Sequence, residues 1–189
     1  KYSLSSPLKT NGTDDGEYEV IVTPVDNLGQ LGQPKKIGFT YDTLEPELVS
    51  LTPLDITQPK SYVNTSVEEI SAVFDEAGSG MDFGVTSISL VNSDGDTFEG
   101  TLDNNDNDSV EFRLTNPISA ANGSQDGKYT VTVNFSDKAG NSGTETFDLI
   151  YDTQVPTISS MKPEHKSIVN QADFDSIVIV FDEDTSGID

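Results

Sequence analysis

An internal repeat is the feature that most limits what this chain of 189 residues can fold into. Short motifs occur twice, in the same order and about 110 residues apart. Ordered matches at one spacing are rare by chance, and small differences in spacing are what loop insertions produce. We therefore infer copies of one unit. The paired segments are 15–20 (DGEYEV) with 126–131 (DGKYTV), 26–30 (DNLGQ) with 137–141 (DKAGN), 41–46 (YDTLEP) with 151–156 (YDTQVP), and 74–76 and 79–82 (FDE, SGMD) with 181–183 and 186–189 (FDE, SGID).

The phase of this repeat predicts three units. The segment 44–153 holds a complete copy, while 1–43 matches its C-terminal half and 154–189 matches its N-terminal part. We therefore expect the chain to be cut from a longer polypeptide. An incomplete sandwich leaves its core and strand edges open, so each end should be disordered alone or be completed by a neighbouring molecule.

The pattern within the complete copy predicts seven short strands and no helix. Apolar and polar residues alternate, which indicates one buried and one solvated face. The fold class is therefore all-β, with tandem immunoglobulin-like, seven-strand Greek-key β-sandwich modules of about 110 residues each. Tyr129, and Tyr18 in the first copy, stand where a tyrosine corner bonds back to the backbone. The predicted strands are 47–52, 67–74, 86–91, 97–102, 109–114, 128–136 and 144–151.

The order of the motifs resembles the bacterial immunoglobulin-like tandem repeats of large cell-surface and adhesin proteins. The motifs are Asp-Glu-x-x-Ser-Gly-(Ile/Met)-Asp, Asp-Gly-x-Tyr-x-Val, Asp-x-x-Gly-Asn and Tyr-Asp-Thr-x-x-Pro, and the likeness covers the whole chain. The first copy departs at Gln30, where the pattern has Asn. The resemblance implies an extracellular stalk, sometimes stiffened by Ca²⁺ between modules. It implies no particular ligand, because sandwiches host many functions.

The charge excludes two classes of partner. Ten Lys and Arg stand against 33 Asp and Glu, which gives a net charge of −23. Nucleic-acid binding needs clustered cations, so we expect no nucleic-acid partner. Anionic lipid surfaces are disfavoured for the same reason, and no apolar run is long enough to insert this segment into a membrane.

The residues also predict that the chain is not an enzyme. The single histidine, His165, has no evident nucleophile beside it, and there is no cysteine. No glycine-rich phosphate loop is present. Carboxylate pairs do exist, but a chain with 33 acidic residues has such pairs by chance.

Topology predicts a metal site at each junction between modules. The last strand of one module ends beside three loops of the next module, where several carboxylates would repel one another unless a cation such as Ca²⁺ neutralised them. An acidic surface that water alone solvates remains the alternative. The candidate ligands are Asp42, Asp75, Glu76, Asp82 and Asp137 at the first junction, and Asp152, Asp182, Glu183, Asp184 and Asp189 at the second.

These observations favour a structural or adhesive stalk segment at the cell surface or outside the cell. Its partners would be the neighbouring repeats of the same chain and cell-surface glycans or proteins. Two alternatives stay open: a carbohydrate- or protein-binding module, and an accessory region of a secreted hydrolase. Similar successive modules favour the stalk, because a binding module tends to carry exposed aromatic residues unlike those of its neighbours.

Overall fold

The alternating segments form β-strands in the computed structural model, which describes residues 3–104, 106–119, 122–170 and 176–188. Within these ranges the chain has strands only, and no helix. The strands are β1 Gly16–Val22, β2 Lys35–Tyr41, β3 Glu47–Thr52, β4 Lys60–Val63, β5 Val67–Asp75, β6 Ser87–Asn92, β7 Gly100–Asn104, β8 Ser109–Ile118, β9 Gly127–Ser136, β10 Ser142–Tyr151, β11 Thr157–Lys162 and β12 Val178–Asp182.

Two four-stranded sheets form the central part of the molecule. One has the strand order β3-β5-β8-β7 and the other β4-β10-β9-β6. Buried side chains from both sheets make one hydrophobic cluster, and the rings of Phe74 on β5 and Phe135 on β9 lie 5.4 Å apart across it. The all-β prediction is confirmed, and the arrangement is that of a sandwich with its core between the sheets.

Strand β9 shows why the sequence folds this way. Tyr129, Val131, Val133 and Phe135 are each at most 4 % exposed, whereas the residues between them face the partly solvated side. Successive side chains of a strand point to opposite faces, so this alternation places one face in the core. The predicted direction of the side chains on this strand is confirmed.

Eight strands lie between residues 47 and 151 in the described residues, where the sequence predicted seven. The additional strand, β4, pairs in parallel with β10 and places Ser61 opposite Leu149. Its four residues are too few to show a period, and its partner is distant in sequence. The fourth predicted strand also begins later, at Gly100, because Thr97 forms an isolated bridge with Val91 instead.

Each end of the chain adds an antiparallel hairpin, β1–β2 and β11–β12. These hairpins have the same register as pairs of central strands, including a β-bulge at matching places in β11–β12 and β3–β5. Gly16 faces Tyr41 as Gly127 faces Tyr151, and Ile158 faces Phe181 as Leu48 faces Phe74.

The apolar residues of these hairpins are exposed, unlike their central counterparts. Phe39 on β2 is 45 % exposed and Phe181 on β12 is 46 % exposed. The matching central residues, Leu149 and Phe74, are 0 % and 3 % exposed. Among the residues that the structure describes, each hairpin therefore has the backbone pairing of a sandwich sheet and no second sheet that covers it.

The predicted tyrosine corner is confirmed in both copies. The Tyr129 hydroxyl donates to the Gln125 carbonyl oxygen at 2.7 Å, and the Tyr18 hydroxyl donates to the Asp14 carbonyl oxygen at 2.6 Å. Burial raises the pKa of Tyr129, so this hydroxyl stays a donor at neutral pH. The hydrogen bond ties the loop before each strand to the strand itself.

Replacing Tyr129 with alanine should destabilise the central sandwich strongly, because it removes a buried ring and the corner hydrogen bond. We expect a loss of about 3–5 kcal/mol in the free energy of unfolding, measured by chemical denaturation. Tyr129→Phe should lose only about 1 kcal/mol, since the ring remains. Thr132→Ala on the opposite face should change the value by about 0.5 kcal/mol or less, and equal effects at positions 129 and 132 would contradict the register.

Candidate functional site

Asp42 follows β2 directly and lies against two loops of the central sandwich. Its Oδ2 accepts a hydrogen bond from the Ser79 N–H at 2.7 Å. Its backbone oxygen accepts a hydrogen bond from Asn141 Nδ2 at 3.2 Å. One residue at the end of the N-terminal hairpin is therefore held by both the β5–β6 loop and the β9–β10 loop.

The β5–β6 loop is held in place by hydrogen bonds within the loop and to the β9–β10 loop. Glu76 Oε1 accepts from the Gly78 N–H at 2.6 Å. The Gly80 carbonyl accepts from the Lys138 N–H at 2.9 Å, and the Ser79 hydroxyl accepts from the Ala139 N–H at 3.1 Å. The two loops therefore form one surface, and Ser79 presents its N–H to Asp42 from a fixed position.

Asp137 organises the β9–β10 loop from a buried position. Its side chain is 1 % exposed, and its Oδ1 accepts from the N–H groups of Gly140 and Asn141 at 2.7 and 2.8 Å. Its Oδ2 accepts from Asn141 Nδ2 at 2.7 Å. The carboxylate is thus paired with three donors, and it aims the Asn141 amide at Asp42.

Three carboxylates meet at this point. One oxygen each from Asp42, Glu76 and Asp137 lie within 4.8 Å of one another. Burial works against the charge of Asp42, but hydrogen bonds from the Ser79 hydroxyl and N–H and from the Leu44 N–H outweigh it. The pKa of Asp42 is therefore held below its usual value, and the group is ionised at neutral pH.

Because Gly78 has no side chain, the Asp42 carboxylate can lie directly against its backbone. A Cβ at this position would lie closer to the Asp42 carboxylate than van der Waals contact allows. A larger residue would push Asp42 away from the Ser79 N–H. The glycine is therefore part of the contact between the hairpin and the sandwich.

The segment after Asp42 is also held by the hairpin that precedes it. The Thr43 N–H and hydroxyl donate to the two carboxylate oxygens of Asp15 at 2.9 and 3.0 Å, and Thr43 Oγ1 accepts from the Gly12 N–H at 3.0 Å. Leu44 packs over Gly12, where a Cβ would lie 2.7 Å from Leu44 Cδ1. In the motif Tyr-Asp-Thr, the aspartate therefore hydrogen bonds with the sandwich that follows, and the threonine hydrogen bonds with the hairpin that precedes it.

The same arrangement recurs after β10. Thr153 donates from its N–H and hydroxyl to Asp126 at 3.0 and 2.9 Å. Asp152 is 7 % exposed and hydrogen bonds with Ser186, which matches Ser79 in the repeat. The hydrogen bond from the Ser186 side chain has the largest effect on the pKa of Asp152 and lowers it. The N–H groups of Gln154 and Ser186 and a contact with Glu183 lower it further, so the pKa is below its usual value although burial alone would raise it.

The structure brings some of the predicted metal ligands together and leaves others apart. Of the first set, Asp42, Glu76 and Asp137 form the close group. Asp75 is exposed and lines the same cleft as Asp42 and Glu76. Asp82 instead accepts from the Gly84 N–H at 3.0 Å within its own loop.

At the second junction, Asp152 contacts Glu183. Asp182 and Asp184 are exposed and line a cleft with Glu183. Asp189 lies outside the described residues.

Sequence reasoning missed two residues of the contact, Ser79 and Asn141. Ser79 belongs to a Ser-Gly motif that recurs at 186–187, whereas Asn141 ends the segment 137–141, whose match in the first copy ends in Gln30. A search restricted to anionic side chains passes over neutral donors. Which carboxylate these donors face depends on the loops that the folded sheets bring together, and the sequence does not specify that.

His165 lies exposed in the turn that follows β11. No helix in the described residues is long and apolar enough to cross a membrane.

Protonation of Asp42 should loosen the contact with Ser79 only in acid. Because the pKa of Asp42 is lower in the folded chain than its ordinary 3.8, its stabilising effect is complete above pH 3.8 and is lost as the pH falls through the folded pKa. The Ser79 amide resonance, followed by NMR, should titrate with a midpoint below 3.8. The step should vanish in Asp42→Asn, and a midpoint above 3.8 or a persisting step would contradict the assignment.

Comparisons with known proteins identify no family. No protein-family model matches the sequence, and none of the curated proteins matches it. Similar solved structures include PcoC, a methionine-rich copper resistance protein of Escherichia coli, with 17 % identity, a TM-score of 0.45, and coverage of 58 % of this chain and 100 % of that one. The Lin-41 filamin domain has 20 % identity, a TM-score of 0.33, and coverage of 53 % and 89 %.

A Ca²⁺-stabilised adhesin with which an Antarctic bacterium binds ice has 18 % identity and a TM-score of 0.27, with coverage of 78 % of this chain. The alignment spans 35 % of the adhesin chain. At these identities and scores the similarities carry no conclusion about function.

Proposed function

We propose that this chain is a non-enzymatic structural segment of an extracellular, cell-surface protein, in which β-sandwich modules are joined end to end. The proposed units are 1–43, 44–153 and 154–189, as the repeat predicts. The observation that carries the proposal is the recurring contact after β2 and β10. In both places an aspartate that follows the last strand of one unit reaches a serine of the next.

A contact of this kind suits a stalk, because it fixes the direction of successive modules. The linker after Asp42 is short, and Pro46 limits its backbone further. Thr43 anchors the linker to the hairpin before it, while Asp42 anchors it to the sandwich that follows. A linker tied on both sides leaves little freedom for bending.

The protonation state of the junction acids supports a structural role. A carboxylic acid that donates a proton in catalysis needs a raised pKa. The pKa values of Asp42 and Asp152 are lowered instead, since N–H and hydroxyl donors hold each charge. Such groups act as permanent hydrogen-bond acceptors at neutral pH.

Removing the Asp42 carboxylate should make the first junction flexible and leave the central sandwich folded. Hydrogen bonds to a charged group are worth about 1.5–3 kcal/mol, so Asp42→Ala should shift the junction from one orientation to many. X-ray scattering should show a broader distance distribution, and NMR relaxation should show that the β1–β2 hairpin tumbles separately.

Asp94→Ala is the matched control, because it removes the same charge from the β6–β7 turn. This control should scatter like the unchanged chain. If Asp42→Ala also does so, the junction is not held by this contact and the proposal of a rigid array fails.

We further propose that Ca²⁺ binds the group formed by Asp42, Glu76 and Asp137. Ca²⁺ takes six to eight oxygen ligands, and each of the three carboxylates has an oxygen with a lone pair that no N–H donor occupies. Three carboxylates within 4.8 Å would supply part of this shell, with backbone oxygens or water as the rest. Copper is a poorer fit, because the sequence holds two methionines, one histidine and no cysteine.

Calcium should raise the melting temperature more than sodium chloride of equal ionic strength, since only the specific ion binds the folded junction. Glu76→Gln keeps the acceptor for the Gly78 N–H and removes one charge, and it should abolish the calcium-specific part of the shift. Asp94→Asn should retain that part. Equal shifts with both salts, or a full response in Glu76→Gln, would rule out the calcium site while leaving the hydrogen-bonded junction intact.

A further inference from the structure

The loop before each strand with a tyrosine corner carries the same short motif. It reads Asn11-Gly12-Thr13 before β1 and Asn122-Gly123-Ser124 before β9, at the spacing of the repeat that surrounds it. The third residue differs between the copies, but both keep a hydroxyl group. Asparagine followed two positions later by serine or threonine is the acceptor sequence for N-linked glycans, so both copies meet the chemical requirement of that modification.

Both copies of the motif fold into the same exposed turn. The asparagine side-chain oxygen accepts from the N–H two residues later, at 3.3 Å between Thr13 and Asn11 and at 3.1 Å between Ser124 and Asn122. The glycine between them has a φ of +79° in each copy, which glycine adopts without steric cost. The asparagine and the hydroxyl residue are exposed in both turns. The second turn belongs to the central sandwich, which has both of its sheets.

The fold leaves the groups that glycosylation needs without partners. Among the described residues, the amide nitrogens of Asn11 and Asn122 donate no hydrogen bond, and the hydroxyls of Thr13 and Ser124 form none either. The turn needs no hydroxyl at its third position, because the backbone N–H of that residue makes the bond. The turn alone therefore does not explain why both copies keep serine or threonine there.

We propose that Asn11 and Asn122 carry N-linked glycans. In that reaction the asparagine amide nitrogen bonds to the anomeric carbon of a lipid-linked oligosaccharide diphosphate, and the amide loses one proton. The bond from that carbon to the diphosphate oxygen breaks, and the diphosphate leaves with the electron pair. The inference rests on the proposed extracellular location, because this modification belongs to secreted chains, but it is independent of the junction contact and of calcium.

Each glycan lies beside a linker between the proposed units. The Gly12 N–H donates to Thr43 Oγ1 at 3.0 Å, and Leu44 packs over Gly12. Gln154 lies in the matching place, where a Cβ on Gly123 would be 3.1 Å from its Nε2. A bulky polar chain on the neighbouring asparagine therefore covers the linker, and exposed connections are where proteases cleave most readily.

Another acceptor sequence, Asn134-Phe135-Ser136 on β9, supplies an internal control. The Asn134 amide donates to Ser87 Oγ at 3.2 Å, and its oxygen accepts from the Thr144 hydroxyl at 2.9 Å. The Ser136 side chain is buried, and its hydroxyl donates to carbonyl oxygens of the following loop. The folded sandwich has no room for a glycan at this position, so Asn134 should be unmodified.

Mass spectrometry of the native protein, isolated from the surface of the cells that produce it, tests the inference. A glycan-releasing amidase in heavy-oxygen water converts each occupied asparagine to an aspartate that carries the isotope. The same digestion without the amidase corrects for spontaneous deamidation, to which Asn-Gly sequences are prone. We expect the amidase-dependent label at Asn11 and Asn122 in most molecules, and none at Asn134.

Ser124→Ala separates glycosylation from a role in the turn, because it removes the hydroxyl and keeps the N–H that bonds to Asn122. Made in the same cells, this variant should lose the glycan at Asn122 and keep the one at Asn11, and after glycan removal it should unfold like the unchanged chain. Ser124→Thr should keep both glycans.

Two results would overturn the inference and leave the extracellular location intact. They are an unmodified Asn122 in protein recovered from the cell surface, and a glycan that persists at Asn122 in Ser124→Ala. Unmodified protein found only inside the cell would contradict the proposed location, and this inference would fail with it.

Discussion

The structure depends on one constraint: a β-sheet with one apolar face needs a second sheet to bury it. In the centre, β3-β5-β8-β7 and β4-β10-β9-β6 satisfy each other, and Val110 and Val131 are completely shielded between them. The end hairpins have the same backbone pairing but no covering sheet in the part of the chain that the structure describes, and Phe39 and Phe181 are near half exposed. Backbone register and burial are therefore separate properties here, because local hydrogen bonds fix the first and only a facing sheet supplies the second.

The junction shows how an acidic chain places its charges. Repulsion among carboxylates would push Asp42, Glu76 and Asp137 apart in an open loop. Hydrogen-bond donors hold them instead: the N–H of Ser79, the N–H of Gly78 and the groups of the β9–β10 loop. Each donor comes from a loop that the sandwich fixes, so the contact that orders the linker is a consequence of the core beneath it.

Much of the central fold follows from local pattern, and the exceptions have physical reasons. Alternation on β9 predicts which side chains are buried, and the Asp-Gly-x-Tyr motif predicts the tyrosine corner at Tyr129. Strand β4 does not follow, because its parallel partner β10 is distant in sequence and four residues show no period. At the junction, a search for carboxylates predicts Asp42, Glu76 and Asp137 but overlooks the neutral donors that hold them.

The sequence by itself determined the repeat, the strand periodicity, the acidic charge and the aspartate at the end of each copy. These are local or compositional properties, which a chain carries whether or not it is folded. Only the tertiary structure decided that Ser79 and Asn141 face Asp42, that Asp82 bonds within its own loop, and that the hairpin faces remain uncovered. Those outcomes depend on which loops the packed sheets bring to one end of the sandwich, and no local sequence pattern specifies which loops lie close to one another.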